Sequence, residues 1–154
     1  MKSIVTKIEV QGHPFFIRED KTDQYEVDLI IKREEYLKHF EIDEHDVFID
    51  IGAHIGTFKF VCGKRGAICN SFEPNAENFN LLTENTARFP GYISNMAVVG
   101  NDDVSRTLFL NDKKGADAHS FYINKRRKVT EEVDCININD IIEKDTTGLK
   151  IDCE

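Results

Sequence analysis

Two carboxylates and two glycines hold the most specific chemistry in this chain of 154 residues. Asp50 lies near the end of the apolar run Val47-Phe48-Ile49-Asp50-Ile51, Gly52 and Gly56 follow, and Glu73 closes a second run, Ala67 to Glu73. A glycine just past a strand permits a tight turn and lets a ligand approach the backbone. A second glycine lets the next helix pack closely, and an acid about 20 residues on can accept both hydroxyls of a ribose. The spacing is D-x-G-x-x-x-G rather than G-x-G-x-x-G, so the dinucleotide fingerprint is absent. Asp50 beside a pyrophosphate would repel it. The same carboxylate suits a nucleoside with a cationic head and no phosphate. Charge therefore favours S-adenosylmethionine over NAD, and both remain open on these residues alone.

The elements that must position these groups follow from the pattern around them. Val47 to Ile51 is almost wholly apolar, as a parallel strand buried on both faces should be. Ile55, Phe58 and Cys62 recur at helical spacing, and Gly63 with Gly66 should end that helix. Ala67 to Glu73 predicts a second strand. Pro74-Asn75 then opens a helix to about Arg88, with Asn75 as its N-cap and Phe79 and Leu82 on its apolar face. Pro90-Gly91 stops it, and Tyr92 to Val99 predicts a third strand. Strand–helix–strand–helix–strand predicts half of a doubly wound, Rossmann-like α/β sheet. Right-handed crossovers give the strand order 3-2-1.

Beyond Gly100 the rhythm changes. Thr107 to Leu110, Ser120 to Ile123 and Val129 to Ile136 alternate like antiparallel strands, an insertion in the main sheet. Asn139 is placed to cap a short helix, Asp140 to Lys144. Leu149 to Glu154 reads as a fourth parallel strand, which makes the order 3-2-1-4. At the other end, residues 4–10 and 14–17 predict a hairpin around Gly12-His13-Pro14. Residues 24–40, with Tyr25, Leu29, Ile30, Tyr36, Leu37 and Phe40 among charges, predict an amphipathic helix. Residues 1–45 thus read as an extension packing on a core domain of residues 46–154.

Composition excludes several classes. Hydrophobic residues are 40% and charged residues 31%, as in an ordinary globular domain. No apolar run approaches the roughly 18 residues of a membrane span, and the charged N-terminus lacks an export signal core. The net charge of −8 disfavours non-specific nucleic-acid binding. The one basic run, Lys125-Arg126-Arg127-Lys128, reads as a solvated loop. Cys62, Cys69, Cys135 and Cys153 lack C-x-x-C spacing and read as reduced residues of a cytoplasmic protein, three of them (Cys69, Cys135 and Cys153) in buried runs. His13, His39 and His45 show no metal-ligand spacing, so no metal is expected. His119 beside Ser120 has no third partner for a nucleophile relay.

Four blocks in order resemble the FkbM family of S-adenosylmethionine-dependent methyltransferases. Val47-Phe48-Ile49-Asp50-Ile51-Gly52-Ala53-His54-Ile55-Gly56-Thr57-Phe58 is similar to its first motif. Phe72-Glu73-Pro74-Asn75-Ala76-Glu77-Asn78-Phe79, with Leu82 and Asn85, is similar to its second. Asn95-Met96-Ala97-Val98-Val99-Gly100 resembles its third strand, and Leu149-Lys150-Ile151-Asp152-Cys153-Glu154 its K-I-D-x-E-G motif. Tyr25-Glu26 resembles a pair that often precedes the core, so the likeness covers roughly residues 22–154.

The resemblance implies that Asp50, Gly52, Ala53, His54 and Gly56 surround the methionine part of the cofactor. Glu73 would hold the ribose with Pro74 and Asn75 near it, and Asn95 and Ala97 would lie by the adenine. Asp152 would face the transferred methyl at the end of the fourth strand. Asp152 and Glu154, two residues apart on one strand face, could orient a substrate hydroxyl, bind a metal or merely fray at a terminus. The implied activity is methyl transfer to a hydroxyl of a sugar or small metabolite. Asn139 stands where the family usually has Asp, and the sequence stops before the glycine that should follow Glu154. An incomplete sheet would leave residues 149–154 as an open edge, so self-association there is expected. The rival readings are an NAD-type oxidoreductase and a non-catalytic nucleotide-binding remnant.

Overall fold

A computed structural model describes residues 3–19, 21–110, 119–121 and 129–152. The chain opens with a hairpin of β1 (Val5–Val10) and β2 (His13–Arg18), in which Val10 pairs with His13. The turn is Gln11-Gly12, with φ of 49° and 78°. That geometry matches the right-handed twist of paired strands. β2 begins at His13, one residue before the second strand expected from Pro14.

Residues 24–40 do not form one helix. A single turn, α1 (Asp23–Glu26), widens into a π-helical stretch over Val27–Lys32, and a 3-10 turn covers Glu35–Lys38. Between them Glu34 sits at φ 51°. The run contains β-branched Val27, Ile30 and Ile31, which favour a regular helix weakly. All three are buried, and the wider turn lets them face the core together.

The central sheet comes next. It runs β3 (Val47–Ile51), α2 (Thr57–Lys64), β4 (Ile68–Phe72), α3 (Ala76–Thr86) and the two-residue β5 (Ile93–Ser94). Then come β6 (Ala97–Val99), β7 (Ser105–Leu110), β8 (Val129–Asn137) and finally β9 (Gly148–Ile151). A four-stranded parallel sheet has the order β5-β4-β3-β9, and a three-stranded sheet has β6-β8-β7. Among the described residues no helix is long and apolar enough to cross a membrane.

Several expected boundaries shift, each for a local reason. Tyr92 to Val99 is two strands in two sheets: β5 pairs with β4, whereas Ala97 pairs with Cys135 of β8. The side chain of Asn95 makes the break, its Nδ2 donating to the carbonyls of Glu73 and Pro74 at 2.8 and 3.0 Å. Gly63 lies inside α2 rather than ending it; glycine is required there for packing, since a β-carbon would meet the Phe89 ring at 2.3 Å. The helix expected over 140–144 is a single 3-10 turn, Ile138–Asp140, capped by Asn137 instead of Asn139. Ser120 makes an isolated antiparallel bridge to Phe109, and the rest of the strand expected to Ile123 lies outside the described residues. So do the basic run 125–128, Cys153 and Glu154.

Alternation along β3 divides the core. Phe48 joins Phe15, Ile17, Val27, Ile30, Ile31, Phe58 and Phe60, so hairpin, π turn and α2 share one cluster. Phe60 stacks edge-on to Phe15 at 5.5 Å and to Phe89 at 5.3 Å. Deleting such a ring costs about 3–5 kcal/mol. Ile49 and Ile51 point to the opposite face, against Phe72 and Ile141. Lys59 is buried in α2, its ammonium donating to the carbonyls of Cys69, Pro90 and Gly91. Cys62, Cys69 and Cys135 are buried free thiols. Leu149 and Ile151 on β9 are exposed.

Candidate functional site

The carboxyl ends of β3, β4, β5 and β9 converge, and they carry Gly52, Glu73, Asn95 and Asp152. Parallel sheets bind ligands at this rim. The N–H groups of Gly52 and Ala53 both donate to the Phe72 carbonyl at 3.0 Å, which pins the loop after β3 to the end of β4. Within that loop Gly52, His54 and Gly56 have φ of 76°, 52° and 92°. Gly56 leaves no room for a side chain, since a β-carbon would meet Thr86 Cγ2 at 2.6 Å and Leu82 Cδ1 at 2.9 Å. Its role in the structure is to let α3 close on the start of α2.

Glu73 is buried and organises two segments. Its Oε2 accepts the His54 N–H at 2.8 Å, and its Oε1 accepts the Asn75 N–H at 2.9 Å and Asn78 Nδ2 at 3.3 Å. Burial pushes its carboxyl above the ordinary glutamate range, against the opposing pull of those hydrogen bonds. Asn75 caps α3 by accepting the Asn78 N–H at 3.0 Å, and its Nδ2 donates to Glu131 at 3.1 Å. Pro74 presents its carbonyl to Asn95. The side chain of Ala97 is buried in the second sheet's cluster with Val99, Leu108 and Val133.

Asp50 is fully buried and lies in register with Lys150 across β3 and β9. The Lys150 ammonium is 3.0 Å from Oδ1 and donates to the Gly52 carbonyl at 2.8 Å. Lys150 is the cation that compensates the buried Asp50 carboxylate. Burial opposes the charge on Lys150, yet the Asp50 carboxylate outweighs it and holds the ammonium above the ordinary lysine range. Asp152, 63% exposed, follows two residues on. The Tyr36 hydroxyl donates to its Oδ2 at 3.0 Å, and burial raises the Tyr36 hydroxyl to about 12. Among the described residues no group of three His, Cys, Asp or Glu is placed to hold a metal.

The sequence-expected residues Asp50, Gly52, Ala53, His54, Glu73, Pro74, Asn75 and Asn95 are therefore brought to one rim, with Asp152 at its β9 end. Lys150, Tyr36 and the buried pair of Arg18 and Asp23 escaped sequence reasoning. Lys150 stood in a recognised motif, and a buried aspartate in β3 was the signal that a cation had to face it. Asn85 was also missed as an anchor. Its amide bonds both the N–H and the carbonyl of Phe16, at 2.6 and 3.0 Å, and so fastens the hairpin to α3.

An α/β chain with a parallel sheet and an acid-lined glycine loop at its rim is the class that this fold and site define. The profile described as the Methyltransferase FkbM domain matches residues 50–154, more than half of the chain. The chain belongs to that family. It is 42% identical over 53 residues to the hexuronic acid methyltransferase AglP of Haloferax volcanii, a stretch covering 34% of this chain and 22% of that protein. The crystal structure of PH0793, a transferase candidate from Pyrococcus horikoshii, aligns at 16% identity with a TM-score of 0.43, over 65% of this chain and 44% of that one. The chain thus spans less than a quarter of the length of the first relative and less than half of the second.

Proposed function

We propose that the rim formed by β3, β4 and β5 holds S-adenosylmethionine, as part of a methyltransferase acting on a hydroxyl of a sugar or other small metabolite. The observation that carries this reading is Glu73, a buried carboxylate at the end of β4 tied to the Gly52–Gly56 loop. Among the described residues its Oε2 accepts one hydrogen bond, from the His54 N–H, and a carboxylate oxygen can accept two. A ribose hydroxyl can therefore add to it. The donor set also suits a cationic, phosphate-free nucleoside. Among the described residues, Arg18 and Lys150 lie beside the loop, and each is paired with a buried carboxylate, Asp23 and Asp50.

When bound, the cofactor supplies a methyl group activated by a positively charged sulfur. The chain's own residues supply position. Gly52 gives close backbone approach, Lys150 fixes the Gly52 carbonyl, and Asn95 fixes the Glu73 and Pro74 carbonyls beside the adenine end. Holding two reactants in line accounts for most of the acceleration available to such a displacement. Asp152, exposed and oriented by Tyr36, takes the proton of the acceptor hydroxyl. The matched stretch of a hexuronic acid methyltransferase supports a sugar-derived acceptor.

Titration calorimetry with S-adenosylmethionine and with NAD tests the reading. The expected result is binding of the first alone, weakened about tenfold to a hundredfold in Glu73→Ala by loss of charge-assisted hydrogen bonds. Preferential binding of NAD would overturn it.

A further inference from the structure

The side chain of Arg18 carries the N-terminal hairpin to the rim. Arg18, at the end of β2, is buried, and so is Asp23 of α1. The two form a fork: Arg18 Nε donates to Oδ2 at 2.9 Å and Nη2 to Oδ1 at 2.8 Å, while the Arg18 backbone N–H also donates to Oδ2 at 2.8 Å. Such planar, two-point pairs fix geometry as well as charge. Arg18 Nη1 reaches Glu77 in the first turn of α3 at 3.4 Å. The His54 imidazole lies on this fork, its Nε2 3.2 Å from Arg18 Nη2 and 3.6 Å from Asp23 Oδ1. Guanidinium can only donate, so a neutral His54 accepts at Nε2 and carries its proton on Nδ1.

His54 is anchored at both ends. Its side chain meets the fork, and its N–H donates to Glu73 Oε2 at 2.8 Å. Its φ of 52° is a conformation that a residue with a β-carbon adopts at a cost, and it persists only when the surroundings hold it. We infer that Arg18 and Asp23 are positioning residues for the nucleoside site, acting through His54 to fix the donor on Glu73 and so the orientation of that carboxylate. The hairpin and α1 are then part of the cofactor site rather than only a buttress. This inference rests on the cofactor reading given above.

The test separates positioning from packing. Hydrogen exchange at the residue 54 amide is read by NMR in the ligand-free 154-residue chain. Affinity for S-adenosylmethionine is read by calorimetry. Asp23→Asn weakens the fork without removing its shape, and His54→Gly removes the imidazole while easing the positive φ. Both variants should exchange faster at residue 54 and bind about tenfold more weakly, the scale of one lost charge-assisted hydrogen bond. His54→Gln, which keeps an acceptor within reach of Arg18, should restore most of the affinity. A purely structural role predicts the reverse for His54→Gly: a fold at least as stable, with unchanged affinity. Should Asp23→Asn fail to fold, the two His54 variants decide the matter. Unchanged exchange and affinity in a folded His54→Gly would overturn the inference. Absence of binding by the unaltered chain would overturn the cofactor reading instead, while the exchange measurement still tests the link from Asp23 to His54.

Discussion

Asp50 and Lys150 face each other in register across two parallel strands, and their 3.0 Å ion pair is the electrostatic centre of the rim. The pair binds β9 to β3, and through the Gly52 carbonyl it holds the glycine loop. A buried carboxylate is tolerated there because a cation from the neighbouring strand compensates it.

Removing one partner should therefore be costly. Lys150→Met leaves Asp50 buried and unpaired, and a loss of about 3–5 kcal/mol is expected in urea unfolding. Replacing both, in Asp50→Leu with Lys150→Met, should recover much of that loss. A single variant no less stable than the double would show that the pair is not coupled.

Gly56→Ala combines a positive φ with contacts to Thr86 and Leu82 that are too close. Strain and overpacking together should cost about 2 kcal/mol or more, seen as a fall in the thermal midpoint of about 5 °C or more. Gly12→Ala is the control, since its φ is 78° but nothing lies within 4 Å of the added carbon. Equal losses in the two variants would remove the α3 contact from the explanation.

Acidification should weaken cofactor binding earlier than an ordinary glutamate would allow. The folded Glu73 carboxyl is raised above 4.5 by burial. The folded chain thus holds this proton to higher pH than the unfolded chain. The associated stability is present below the unfolded value and is lost as pH rises through the folded one. Ribose binding needs the opposite form, the carboxylate. Calorimetry should show affinity falling as pH drops through the raised value, and Glu73→Gln should bind weakly with a flatter profile. A Glu73→Gln profile as steep as that of the unaltered chain would assign the pH dependence to another group.

Tyr36 should ionise late, at about 12, because burial disfavours its anion. Its contribution to stability is therefore present below the ordinary value of 10 and lost as pH rises through about 12. In an alkaline absorbance titration Tyr36→Phe should delete the late-ionising component. Loss of an ordinary component would contradict the placement of Tyr36. The same variant frees Asp152, so acceptor turnover should fall with little change in cofactor affinity.

What was legible in the sequence was the part whose geometry is set locally. β3 is buried on both faces and so reads as an almost wholly apolar run, β4 is bounded by Gly66 and by Glu73 at its end, and Asn75 announces the start of α3. Glu73 and Gly52 could be placed from strand ends and spacing alone. Where long-range contacts decide, the pattern failed. Tyr92 to Val99 reads as one strand because nothing local shows that the Asn95 side chain will replace a backbone ladder. The stretch from 24 to 40 has helical periodicity, yet packing of Val27, Ile30 and Ile31 widens it into a π turn. Asn137 and Asn139 are equally good caps in isolation. The Asp50–Lys150 and Arg18–Asp23–His54 connections join residues that only the folded topology brings together.

Amide shift mapping during titration with S-adenosylmethionine tests the central claim most directly. The account predicts that the largest changes fall on Gly52 to Gly56, Glu73, Asn75 and Asn95, the carboxyl ends of three adjacent strands. Changes confined to the second sheet, or saturable binding that leaves Gly52 and Glu73 unmoved, would contradict it.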